Sequence, residues 1–184
     1  MKRILLIAVA VSATLALVFA QSRSSQSKDS KQAAREQRKE ERQQRRAQRL
    51  AEYEKYVDSL VLSRNFRFTP QTMQRQPAGM MRNLMNPNFE LSVWDETVDV
   101  CLPFIKGYVP PYYPVVFNYV LPSVQGYTTE QTHDGWTVTF QTSLFSANTY
   151  TFSLEIYTHY GGATLTISSP FYNSVQYTGN ITSI

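Results

Sequence analysis

A single cysteine, Cys101, in a chain of 184 residues excludes an internal disulfide framework and any zinc site built on several thiolates. Only two histidines are present, His133 and His159, and neither lies near Cys101 in sequence. A metal site needs three or four convergent ligands, and both histidines stand at turn ends near glycine, so no metal is expected. The chain also lacks a glycine-rich phosphate loop, a Gly-x-Ser-x-Gly elbow and a His-Glu-x-x-His motif. No catalytic residue and no cofactor therefore follow from the sequence. Charge is scarce as well. With 17% charged and 42% hydrophobic residues, one packed domain with or without a tail is expected, not a disordered chain.

That scarcity is uneven. The formal net charge is +4, but twelve of the eighteen basic residues and only four of the fourteen acidic ones lie in residues 1–50, a local balance of +8. Residues 51–184 carry six basic and ten acidic groups, a balance of −4. Lys2 and Arg3 precede a run from Ile4 to Ala20 without a charge, and Val18-Phe19-Ala20 offers a signal peptidase suitable residues. Residues 1–20 read as a signal peptide cleaved before Gln21. The other reading is an uncleaved anchor, but a spanning helix needs roughly 20 apolar residues and Ser12 and Thr14 interrupt this run. Lipidation requires a cysteine at the cleavage point, so a lipoprotein is not expected. The expected location is the periplasm or the cell envelope.

Residues 21–31 are a Ser/Gln/Lys-rich flexible linker by composition. From Gln32 the chain is built of Ala, Arg, Gln, Glu and Lys, strong helix formers with almost no apolar stripe as far as Arg49. Leu50, Tyr53, Val57 and Leu60 then recur at spacings of three, four and three, and Val61 widens that face. One charged helix over 32–63 is expected, with its last part docking on the domain that follows.

From residue 64 the period changes to two. Trp136, Val138 and Phe140 alternate with polar residues; so do Tyr150, Phe152, Leu154 and Ile156, and Ala163, Leu165 and Ile167. Phe89, Leu91 and Val93, and Val98, Val100 and Leu102, follow the same rule. This is the pattern of strands with one face on a core and one in water. Strands are expected near 66–73, 88–94, 97–102, 115–120, 136–143, 149–158, 162–169 and 174–179. Asp95-Glu96, Asp134-Gly135 and Gly161-Gly162 supply tight turns. The fold class is mainly β: a small antiparallel β-barrel or sandwich over residues 64–184, preceded by one long charged helix.

Three segments then carry a likeness. Ser63-Arg64-Asn65-Phe66-Arg67-Phe68 follows a helix, Leu102-Pro103-Phe104 is followed by a Tyr/Pro-rich loop, and Tyr177-Thr178-Gly179-Asn180-Ile181 closes the chain. In order and spacing these resemble the exported bacterial family called "domain of unknown function 4251", over roughly residues 55–184. The family's usual step, Leu-Pro-Tyr-Phe-Gly, reads here Leu102-Pro103-Phe104-Ile105-Lys106-Gly107, without the first aromatic hydroxyl. The resemblance implies a lipocalin-like antiparallel β-fold in the cell envelope and brings no catalytic residue with it.

The segment 104–114 is the candidate contact surface. Pro110-Pro111 holds an extended backbone, while Phe104, Tyr108, Tyr112 and Tyr113 offer rigid rings to a protein, peptide or glycan. The same rings could instead lid one end of the core. The basic arm could meet an anionic membrane surface; nucleic acid is disfavoured, since Glu36, Glu40 and Glu41 interrupt the arm and no aromatic is interleaved for base stacking. Cys101 reads as a packed small side chain. The expected function is a non-enzymatic exported envelope protein acting as a binding or interaction module. The alternatives are an envelope-polymer hydrolase or lyase, or a small-ligand carrier with a β-barrel cavity.

Overall fold

The computed structural model describes residues 32–107, 109–143, 149–159 and 161–184 in full, and residues 2–31, 144 and 148 by secondary structure alone. The signal segment from Lys2 and the linker 21–31 are therefore described only as helical backbone, and Tyr108 lies outside the described residues. Contacts divide the chain into two units, Met1–Arg49 and Leu50–Ile184. In the first, the described residues belong to helix α1 (Lys2–Leu62) and residues 32–49 are all exposed, as their composition demands. Among the described residues no helix is long and apolar enough to cross a membrane.

The second unit begins inside α1. Val57, Leu60 and Val61 are buried and Tyr53 half-buried, whereas Leu50 is 48% exposed: the apolar stripe starts one turn before the docked part does. Full burial of each aliphatic side chain contributes roughly 1.5–3 kcal/mol. Two polar contacts fix the same turns. Trp136 Nε1 donates to Asp58 Oδ1 at 2.7 Å, and the Ser183 backbone N–H donates to Tyr56 Oη at 3.0 Å. The helix ends where Ser63 N–H returns to Ser59 O and Arg64 turns left-handed at φ 50°.

Ten strands follow: β1 (Asn65–Arg75), β2 (Arg82–Asn83), β3 (Glu90–Trp94), β4 (Thr97–Lys106), β5 (Tyr113–Leu121), β6 (Gln125–Thr132), β7 (Gly135–Leu144), β8 (Asn148–Tyr157), β9 (Ala163–Ser169) and β10 (Tyr172–Thr182). Nine form one antiparallel path, β5-β4-β3-β1-β10-β9-β8-β7-β6, and β2 pairs with β1 off that path. The sheet curls into a half-barrel, not two layers. Its edges are β5 and β6, joined by Pro122-Ser123-Val124.

The alternation is realised position by position. Trp136, Val138 and Phe140, then Tyr150, Phe152, Leu154 and Ile156, then Ala163, Leu165 and Ile167 all point into one core. Phe104 and Phe117 stack at 4.6 Å, with Tyr150 edge-on to both, and Phe140 stacks on Phe152 at 4.9 Å. Of the expected two-residue turns Asp95-Glu96 stands, between the paired Trp94 and Thr97. The β6–β7 turn is instead His133-Asp134, with Gly135 already paired to Thr132. The β8–β9 connection is longer, since Tyr157 N–H donates to Gly162 O, with Gly161 and Gly162 both at positive φ. Two strands exceed the eight expected. β2 is only two residues long, and β6 (QGYTTEQT) carries no apolar alternation because it is an edge, with Tyr127 and Thr129 only half-buried.

Candidate functional site

Unequal strand lengths open a gap in the sheet. β1 and β4 run for 11 and 10 residues, but β3 between them has only 5. Pairing of β3 with β4 stops at Glu90↔Cys101, and with β1 at Leu91↔Phe68. Beyond those points the flank of β1 carries only the two-residue β2, and β4 has no strand paired to it on that side. Tyr177 of β10 reaches across, its hydroxyl donating to Pro103 O at 2.5 Å. β2 lies along β1 at Thr72 and Met73.

A cleft of about 330 Å³ lies at this end, lined by Arg75, Gly79, Met80, Arg82, Ile105, Tyr112, Ala78 and Pro114. It is the end opposite the docked last turns of α1, because Arg75, Lys106 and Tyr172 stand at the termini of β1, β4 and β10 remote from the helix-docked ends.

A bulge aims Arg75. Before it, Phe66, Phe68 and Pro70 are buried; the register of β1 on β10 then shifts between Pro70 and Thr72, and the next buried residue is Met73. Odd positions now take the side that even positions held, so Arg75 sits on the face of Met73 at the rim. Its guanidinium lies over the Tyr112 ring, 4.2 Å from the centroid. The loop beyond it is tight. Gly79 N–H donates to Arg75 O at 2.7 Å, and Gln74 Nε2 donates to Gly79 O at 2.9 Å. A side chain at 79 would meet Arg75 O at 2.5 Å, so glycine is required there by close approach. On the other wall Gly107 has φ +119°, and a Cβ there would touch the Tyr112 ring at 3.4 Å. Lys106 Nζ lies 5.9 Å from the Tyr172 ring centroid.

The expected contact residues separate in space. Phe104 is fully buried among core rings, which removes it from any contact surface: it falls on the inward parity of β4 with Val100 and Leu102. Tyr112 is half-buried and forms a wall of the cleft, and Tyr113 is 61% exposed beside it at the start of β5. Tyr108 lies outside the described residues. Sequence reasoning missed Arg75, Arg82 and Met80. The one signal for them was Arg75-Gln76-Pro77-Ala78-Gly79-Met80-Met81-Arg82, a cationic, methionine-bearing turn between strands.

Away from this cleft, Asp134, Glu155 and Tyr157 line a second one of about 200 Å³, where the Tyr157 hydroxyl donates to Glu155 Oε2 at 2.8 Å. His133 and His159 are exposed with ring centroids 6.2 Å apart, and Thr158 Oγ1 lies 3.2 Å from His159 Nδ1. Among the described residues no three of His, Cys, Asp and Glu come together as metal ligands would. Burial raises the Asp99 pKa, and the Glu90 charge adds to the effect. Burial likewise pushes the Cys101 thiol up, reinforced by Asp99 and Glu90, which disfavours the thiolate a nucleophile needs.

Comparison with known proteins gives the same frame. No curated protein matches. A crystal structure of a DUF4251 family protein from Bacteroides eggerthii DSM 20697 is similar at a TM-score of 0.55 and 15% identity, over 71% of this chain and 87% of that one. At that identity the likeness speaks for the fold alone. The model of the family described as "Domain of unknown function (DUF4251)" matches residues 48–181, from the last turns of α1 to the end of the β-domain. The chain belongs to the DUF4251 family.

Proposed function

We propose that this chain is a non-enzymatic envelope protein, exported by its N-terminal segment, whose β-domain is a binding module with its ligand seat in the cleft between the Arg75–Arg82 turn and Tyr112. The observation that carries this reading is the contrast between interior and rim. Inward positions are filled by fully buried aromatic and aliphatic side chains, leaving the work of contact to the rim. The rim cleft combines a stacked aromatic, two arginines, a methionine and two prolyl or aliphatic surfaces, the mixture a binding site uses for affinity and orientation.

The hydrolase or lyase alternative needs paired titratable groups over the substrate. The described lining of the cleft holds no Asp, Glu, His or Cys, which favours binding over turnover. The exposed basic residues of 32–49 support a second contact, to an anionic membrane surface, at about 1 kcal/mol per basic residue near the surface. The test is a titration of the full-length protein with peptidoglycan fragments, envelope glycans and short peptides, followed by amide shifts. Binding that moves the amides of Ala78, Gly79, Met80 and Tyr112 supports the reading. Binding confined to other faces, or cleavage of any of these compounds, overturns it.

A further inference from the structure

Charge at the cleft narrows what it can take. Arg75, Arg82 and Lys106 are three of the six basic residues in 51–184, and no lysine or arginine follows Lys106. None of the ten acidic residues of that segment lines the cleft. Elsewhere on the domain Arg67 has a carboxylate partner and Arg64, like Arg75, an aromatic ring. Arg67 Nε stands 3.2 Å from Glu90 Oε2 and also donates to Ser92 Oγ, while Arg64 covers the Tyr127 ring at 4.4 Å. Among the described residues Arg75 and Arg82 have no carboxylate within ion-pairing distance. The Tyr112 ring fixes the Arg75 guanidinium in place without neutralising it, so its charge and its forked N–H donors are kept for another acceptor. The rest of the wall, Met80, Ile105 and Pro114, is apolar.

We infer that the cleft takes an amphiphilic oxyanion: a carboxylate or phosphate group held by Arg75 and Arg82, on an apolar body lying against Met80, Ile105 and Pro114. This rests on the cleft being the ligand seat. A guanidinium fork matches the two oxygens of a carboxylate or phosphate, and two arginines can hold one such group between them. A volume of about 330 Å³ suits a headgroup and a short apolar segment, at the lower end of ligand sites. An uncharged ligand would leave two guanidinium groups facing an apolar body with no counter-charge.

The experiment titrates the full-length protein with octanoate, octyl phosphate and neutral octyl glucoside, reading the amide shifts of Ala78, Gly79 and Met80. Acetate and inorganic phosphate are the chain-free controls. The two octyl anions are expected to bind, with the glucoside and the chain-free anions each at least about tenfold weaker. Arg82→Gln, whose side chain is exposed and whose pairing with Met73 runs through the backbone, and Arg75→Lys, which keeps charge but removes the fork, are each expected to weaken octyl-anion binding about tenfold. Equal binding of the glucoside, indifference to Arg82→Gln, or no binding of either octyl anion overturns the inference. Equal binding of acetate or phosphate overturns its amphiphilic half. Glucoside binding at these amides would leave the seat itself standing, whereas shifts confined to other faces would remove both.

Discussion

Two tyrosine hydroxyls on this domain have opposite surroundings, and deleting each should change stability with opposite sign. Tyr177 is fully buried, and its hydroxyl donates to Pro103 O at 2.5 Å. That carbonyl belongs to the stretch of β4 that has outrun β3, so no strand lies beside it on that flank. Tyr177→Phe leaves it without this donor inside the core, which costs about 2 kcal/mol. Tyr127 is the reverse case. Its hydroxyl is buried with no hydrogen-bond partner among the described residues, so it bears a desolvation cost and returns nothing. Tyr127→Phe keeps the ring stacked near Phe140 and under Arg64 and removes that cost. A gain of up to about 1 kcal/mol is expected.

At a few degrees per kcal/mol for a domain of this size, thermal melts followed by circular dichroism should fall by roughly 6–8 °C for Tyr177→Phe and rise by roughly 2–4 °C for Tyr127→Phe. Alkaline titration supplies a second reading. Burial raises the Tyr127 pKa to about 12, with Arg64 pulling the other way, and burial raises that of Tyr177 further. An unfolded tyrosine ionises near 10. Between about pH 10 and 12 the folded state therefore holds protons that the unfolded state has lost. Stability contributed by the neutral hydroxyl is complete below pH 10 and declines as pH rises through that window. The decline should be shallower in Tyr127→Phe. Melting shifts of the same sign for the two variants would refute the reasoning.

Two further substitutions test the supports of the fold and the site. Asp58→Ala removes the acceptor 2.7 Å from Trp136 Nε1 and should cost about 1–3 kcal/mol. In a double-mutant cycle with Trp136→Phe, denaturant unfolding should give a coupling of about 1–2 kcal/mol; strict additivity would mean that the Asp58–Trp136 contact adds nothing to the seating of the helix. Gly79→Ala places a Cβ 2.5 Å from Arg75 O, a backbone atom that cannot swing aside, so the turn must shift. The expected result is loss of the nuclear Overhauser contacts between Arg75 and the Tyr112 ring with the sheet intact; unchanged contacts would show the turn to be pliant.

What the sequence made legible was the part governed by period. β7, β8 and β9 bury the residues their alternation names, because a residue on the wrong face there would put a polar side chain against Phe140 or Phe152. Strand β6 escaped since an edge strand needs few apolar side chains: Tyr127 and Thr129 suffice, and the rest is Gln, Gly, Thr and Glu. Leu50 misled in the other direction. It keeps the helical spacing of Tyr53, Val57 and Leu60, yet it lies a turn short of the docked stretch and stays about half exposed.

The cleft depends on features that period cannot carry. Phe66, Phe68 and Pro70 predict that Arg75 points outward; a single bulge between Pro70 and Thr72 reverses the faces and turns it to the rim. Pro70 is the one hint, since a proline inside a strand belongs at an edge or a bulge, but it does not say that the faces reverse beyond it. The gap is silent, since it arises from β3 ending at Glu90 while β1 and β4 continue on either side, a property of three strands separated in sequence. Tyr112 was legible because Pro and Tyr in a loop are conspicuous, but its partner was not, because Arg75 is 37 positions away and meets it only across that gap. In this fold the core is written along each strand, whereas the candidate site is written in the differences between strands.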